Sequence, residues 1–233
     1  MNTAMSTVIH PSAVNHLAIA TRDIKGQIEF FSTVLGCALK ALYPMHGAEG
    51  CWHGFVELNP KSYIAFVYHP GNPDTKQYGV THAADPTAPV APGAMQHVAL
   101  WVDTDDELLA LRDRIRSHGV PVLGPIDHGF CRSMYFGGPE GIVLELTTGD
   151  AIDPAAWIDP ETVAINGISA EELETYKNPA PFDRTETPVA QPAYDPAKPH
   201  MAYPDEVYQL ILAMTDEQVS AMVSYPDPPV RLD

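Results

Sequence analysis

With 233 residues, 45% of them hydrophobic and 18% charged, the chain can bury a substantial core, either as one large domain or as a compact domain with an extension. A formal charge of -17 argues against nucleic acid and anionic membrane surfaces, whose recognition requires clustered Lys and Arg. The 23 prolines predict long turn-rich and extended connections within a globular protein.

The opening stretch MNTAMSTVIHPSAV lacks a basic region followed by a long apolar run. No segment approaches the ~20 apolar residues of a membrane helix, so a soluble cytoplasmic protein is expected. The first strand begins at His16 in HLAIATRD. Alternation puts His16, Ala18 and Ala20 on one face and Leu17 and Ile19 on the other. Asp23 can cap a helix in which Ile24, Ile28, Phe31 and Leu35 recur at helical spacing, with Gly36 ending it. Strands are predicted at 38–43, 51–58 and 62–68, separated by the turn-forming stretches PMHGAEG and NPK.

A Pro-rich connection leads to a second histidine-led strand, HVALWVDT, where His97, Ala99 and Trp101 oppose Val98, Leu100 and Val102. Thr104 and Glu107 form a capping-box pattern opening the helix ELLALRDRIRSHG. Strands at 120–124, 132–136 and 142–148 follow, with GGPEG before the last. The order of one strand, a helix and three strands thus occurs twice. The two histidines lie 97 − 16 = 81 residues apart, which reads as an internal duplication.

On the final strand of this second unit, Val143, Glu145 and Thr147 oppose Ile142, Leu144 and Leu146. Glu145 therefore lies on the face not needed for aliphatic packing, as His16 and His97 do. Two imidazoles and a carboxylate suit a divalent metal such as iron(II), manganese(II) or zinc(II), with positions left open for substrate. The alternative is that His16 and His97 are hydrogen-bonded strand histidines beside an inward carboxylate. Cys37, Cys51 and Cys131 lack CxxC spacing and suggest neither a disulfide framework nor a thiolate zinc site.

The expected organisation is α+β. Residues 13–149 form a domain of two βαβββ units, 13–70 and 94–149, joined by a linker at 71–93. From 150 to 233 a Pro-rich extension carries a helix after Ser169, with Glu172 as capping partner, and a helical pair in DEVYQLILAM and TDEQVSAMVSY. Tyr208, Leu212 and Met222 would face a partner surface. The extension either covers the open side of the sheet or buries a homodimer interface.

NHLAIAT, QHVALWVD and DHGFCRSMYFGGPEGIVLEL resemble the vicinal oxygen chelate superfamily, which includes glyoxalases, extradiol dioxygenases, fosfomycin resistance enzymes and bleomycin-binding proteins. The resemblance implies two βαβββ units curved around a metal held by His16, His97 and Glu145. Glyoxalase-type isomerases add an acidic fourth ligand near the end of the first unit's last strand, a position that falls near Phe66 in this chain. Fosfomycin-type transferases must neutralise a phosphonate, for which Arg132 and Lys61 are the main candidates. The pattern is closest to an extradiol dioxygenase using iron(II) and dioxygen on a catechol-like aromatic diol. Tyr135 matches a tyrosine that contacts the substrate oxygens in that family. The dioxygenases' acid/base histidine falls where this chain has Ser62 and Tyr63, leaving His128 and His53 as substitutes. A metal-dependent isomerase, lyase or transferase and a metal-free ligand-binding protein are the alternative functions.

Overall fold

Each histidine-led repeat folds as one strand, a helix and three strands in the computed structural model, which describes residues 9–182 and 184–231. The first repeat forms a mixed sheet in the order β1-β4-β3-β2, built from β1 (His16–Thr21), β2 (Leu39–Pro44), β3 (Trp52–Asn59) and β4 (Ser62–Tyr68). The second repeats that order as β5-β8-β7-β6, from β5 (Val98–Trp101), β6 (Val122–Asp127), β7 (Cys131–Gly137) and β8 (Val143–Gly149). In each sheet the first strand pairs in parallel with the last, and the remaining pairs are antiparallel. Parallel pairing requires a crossover, and the intervening helix provides part of it.

The crossover helices differ. In the first repeat, α1 (Ile24–Glu29) starts where the Asp23 carboxylate accepts from the Gly26 N–H at 2.8 Å. It passes into a π-helical turn over Phe30–Val34, closed by Leu35 N–H donating to the Phe30 carbonyl. The sequence spacing predicts a plain α-helix through Leu35. The wider turn instead buries Phe31, Val34 and Leu35 together. In the second repeat, α2 (Asp105–Ser117) is regular, and its Thr104 cap accepts from the Glu107 N–H as the capping pattern predicts.

Helices cover one face of each sheet. Ile19, Phe31, Val56, Ile64 and Phe66 from the first repeat join Leu100, Leu108, Ile115, Met134 and Leu144 from the second in a single buried cluster. Polar contacts link the repeats as well. Glu140, in the turn before β8, accepts from Thr21 Oγ1 at 2.5 Å, Gln27 Nε2 at 2.7 Å and Arg22 N–H at 2.8 Å. Arg114 of α2 donates to the carbonyls of Thr33 and Val34, both at 2.9 Å.

The chain divides into a larger unit, Ser12–Ser169, and a smaller one made up chiefly of the chain from Ala170 onward. Two short helices, α3 (Pro154–Trp157) and α4 (Pro160–Ile165), fall in the larger unit, where Trp157 meets the Phe130 ring edge-on at 4.8 Å. The smaller unit holds α5 (Ala170–Lys177), α6 (Asp205–Leu212) and α7 (Asp216–Val223), in none of which is a described residue buried. The Thr215 cap of α7 and its partner Gln218 complete a reciprocal capping box. No helix among the described residues is long and apolar enough to cross a membrane.

Candidate functional site

The face of the second sheet that α2 leaves open carries a group of chemically active side chains. In the register of β5, β8 and β7, Glu145 lies between Ala99 and Tyr135. Side chains two apart along a strand share a face, so His97, just before β5, projects with Ala99 toward Glu145. The result is a direct contact: His97 Nε2 lies 3.0 Å from Glu145 Oε2, and the carboxylate is buried. Tyr135 presents its ring edge-on to His97 at 6.1 Å, and its hydroxyl lies 3.1 Å from His128 Nε2. Burial, reinforced by the Glu145 charge, holds the Tyr135 phenol above its ordinary pKa. The phenol therefore keeps its proton at neutral pH.

The residue before each histidine fixes its ring. Gln96 Nε2 donates to the carbonyls of Asp85 and Ala88, which turns Gln96 Oε1 toward His97 Nδ1. In the first repeat, Asn15 Nδ2 donates to the Lys61 carbonyl while Asn15 Oδ1 meets His16 Nδ1 at 2.8 Å. Each Nδ1 thus carries the proton, and in a neutral ring Nε2 is left with its lone pair. At His97 that lone pair faces a carboxylate oxygen at 3.0 Å, so two acceptors confront each other. A proton or a metal cation between them removes the conflict. Asn15 and Gln96 escaped the sequence reading, although their signal was an amide residue before the histidine in both repeats.

His16 occupies the matching place on the open face of the first sheet. Its neighbours there are His53, at 6.4 Å between ring centroids, and Phe55 at 5.5 Å. His53 Nε2 is buried without a hydrogen-bond partner, and burial, followed by the charge of His16, lowers the His53 pKa. The six candidate residues therefore fall into two groups. His97, Glu145, Tyr135 and His128 lie together on one sheet, and His16 lies with His53 on the other. Among the described residues no three His, Cys, Asp or Glu side chains converge as a ready metal cage. His97 and Glu145 fit a divalent cation as two of its donors.

The register sharpens one correspondence. Glu145 pairs with Ala99, two residues after His97, and Ala65 pairs with Ala18, two residues after His16. The position matching Glu145 is therefore Ala65, whereas Phe66 points to the core and is fully buried. Neither can ligate a metal. Arg132, considered for anion binding, shares the helix-covered face with Met134 and Phe136 and pairs with Asp105 at 2.7 Å. Lys61 supplies only its backbone carbonyl to Asn15 in the contacts described above.

Comparison with known proteins places these features in context. A sequence model described as Glyoxalase/Bleomycin resistance protein/Dioxygenase superfamily matches residues 13–146. Biphenyl-2,3-diol 1,2-dioxygenase 2 of Rhodococcus globerulus is 28% identical over 152 residues, covering 65% of this chain and 68% of that protein. A glyoxylase/bleomycin resistance protein/dioxygenase domain from Frankia sp. EAN1pec is similar in structure, with a TM-score of 0.49 at 16% identity over 60% of this chain and 99% of its own. The fosfomycin resistance protein FosX from Listeria monocytogenes, complexed with Mn(II) and sulfate, gives 0.40 at 16% identity over 60% and 94%.

Proposed function

The chain belongs to the Glyoxalase/Bleomycin resistance protein/Dioxygenase superfamily, and from that premise we propose that it is an extradiol-type dioxygenase cleaving a catechol-like aromatic diol with iron(II) and dioxygen. The observation that carries this reading is the His97–Glu145 contact, with Tyr135 beside it and His128 behind. We assign His97, Glu145 and His16 as the metal donors. Iron(II), when bound, brings the diol oxygens and dioxygen together for cleavage of the ring bond next to the diol.

The chain's own residues have separate tasks. Gln96 and Asn15 hold the two imidazoles with Nε2 presented to the cation. The Tyr135 hydroxyl meets a substrate oxygen and relays the proton that the diol releases on binding: its oxygen accepts that proton as its own passes to His128 Nε2, 3.1 Å away. The relative from Rhodococcus globerulus, named for a biphenyl diol, supports the same reaction class.

Metal analysis of anaerobically purified protein, followed by oxygen uptake with a panel of catechols, tests the proposal. Stoichiometric iron with uptake is expected. Iron without uptake on any catechol overturns ring cleavage, while zinc or manganese points to Lewis-acid chemistry and no metal to a binding protein. Single His16→Ala, His97→Ala and Glu145→Ala variants should stay folded and lose the metal. The homodimer expected from the sequence offers a second source of His16. A 1:1 mixture of the His16→Ala and Glu145→Ala proteins regains metal if donors come from different chains, and stays empty if one chain supplies all three.

A further inference from the structure

The loop that carries His128 joins β6 to β7. His128 N–H donates to the Cys131 carbonyl at 2.8 Å, Gly129 N–H donates to Asp127 Oδ1 at 2.8 Å, and the Phe130 carbonyl accepts from Asp150 N–H at 3.0 Å. The His128 side chain is exposed, so water competes for its hydrogen bond with Tyr135. An exposed loop side chain keeps one orientation only where the loop beneath it is fixed.

A tryptophan from beyond β8 supplies that fixing. Asp150 follows β8 directly, and Asp153 then caps α3, its carboxylate accepting from Ala155 N–H at 2.9 Å. This short helix delivers Trp157 onto the loop, where the indole meets the Phe130 ring edge-on at 4.8 Å. The indole also lies flush against the Gly129 backbone, since a Cβ at Gly129 would come within 2.7 Å of two of its carbons. Gly129 has φ +90, so the loop conformation and the indole both require glycine there. Trp157 itself is 48% exposed, and no apolar side chain beyond Leu146 is buried among the described residues. The ring is therefore pressed onto the loop and not into the core. The region matched to the superfamily also ends at residue 146, which puts this contact outside it.

We propose that Trp157 is a positioning residue for the reaction: lying over Gly129 and Phe130, it holds the loop so that His128 Nε2 stays on the Tyr135 hydroxyl. The use of His128 as proton acceptor rests on the catechol reading, but the clamp on its imidazole is measurable without metal, oxygen or substrate. Removal of the indole leaves the core and the proposed metal donors in place and frees His128 to leave Tyr135.

NMR of the full-length protein labelled with ¹⁵N-histidine gives the readout. His128→Ala identifies the His128 signal, and Tyr135→Phe shows where its Nε2 resonates without the hydroxyl. In Trp157→Ala that signal should move most of the way to its Tyr135→Phe position, while Trp157→Phe, which keeps a ring on the loop, should leave it in place. With a catechol substrate, Trp157→Ala should lower kcat at least about ten-fold, part of what a positioned acid/base group contributes, with KM and metal content nearly unchanged. In the His128→Ala background the same substitution should cost nothing more, because its effect passes through His128. Trp157→Leu serves if the alanine protein does not fold. A folded Trp157→Ala or Trp157→Leu protein whose His128 signal stays at the wild-type position overturns the proposal, as does an equal loss of kcat with and without His128. If the signal moves and no catechol is cleaved, the dioxygenase reading fails and the clamp stands. If catechols are cleaved and the signal stays, the reverse is true.

Discussion

At the residue scale, the amides beside the two histidines define how the site is prepared. Gln96 is held by two backbone carbonyls and turns its own oxygen to His97, so the imidazole is fixed before any ligand arrives. Gln96→Leu keeps the side chain's approximate volume but removes this anchor. With His97 a metal donor as proposed, affinity for the metal, measured by competition with a chelator, should fall roughly 10–100-fold with the melting temperature nearly unchanged. An unchanged affinity would show that packing alone orients the ring. The faces of His16, His97 and Glu145 were legible in the sequence because alternation assigns a face to every strand residue. The grouping of His97 with Glu145, Tyr135 and His128 was only partly legible, since the face of a side chain does not give its distance from one on another strand.

At the element scale, the turn before β8 carries a structural task that local pattern does not reveal. Glu140 has φ +55, an unfavourable conformation for a residue with a side chain, yet three donors from the end of β1 and the start of α1 converge on its carboxylate. Burial alone would raise its pKa, but the hydrogen bonds from Thr21, Arg22 and Gln27 outweigh burial and hold it below the ordinary carboxylate value. A depressed folded-state pKa means that the stabilisation is complete above the unfolded value, about 4.3, and is lost as pH falls through the folded value. Glu140→Gln should therefore cost about 1 kcal/mol at pH 7, allowing for the carboxylate's exposure, and close to nothing near pH 2. Denaturant unfolding at the two pH values measures the difference, and an equal cost at both would refute the assignment. GGPEG announced a turn, but no sequence period links Glu140 to Thr21, 119 residues away. The π turn after α1 was hidden for a related reason, because it is set by the core that Phe31 enters.

At the scale of the whole molecule, stability is concentrated in one part of the chain. Every buried apolar side chain among the described residues lies between Ile19 and Leu146. A chain ending after Ser169 should therefore still unfold cooperatively, with a melting temperature within about 4 °C of the full protein, equivalent to ~1 kcal/mol at this size. A larger drop would mean that the helices from Ala170 onward contribute stability beyond that core. The duplicated topology was readable because each repeat carries its own strand, helix and three-strand order. The clustering of residues 150–169 with the larger unit was not, since it involves ring contacts such as that of Trp157 with Phe130 rather than a periodic pattern.

The strand orders leave β1 and β2 as the edges of one sheet, and β5 and β6 as those of the other. The outer edges carry prolines, Pro44 in β2 and Pro125 in β6, which remove N–H donors and discourage further strands from adding. The other two edges, HLAIAT and VALW, carry no proline and neither Lys nor Glu. Those two ribbons are the parts of the protein most suited to zip onto another chain when heat or acid loosens the fold.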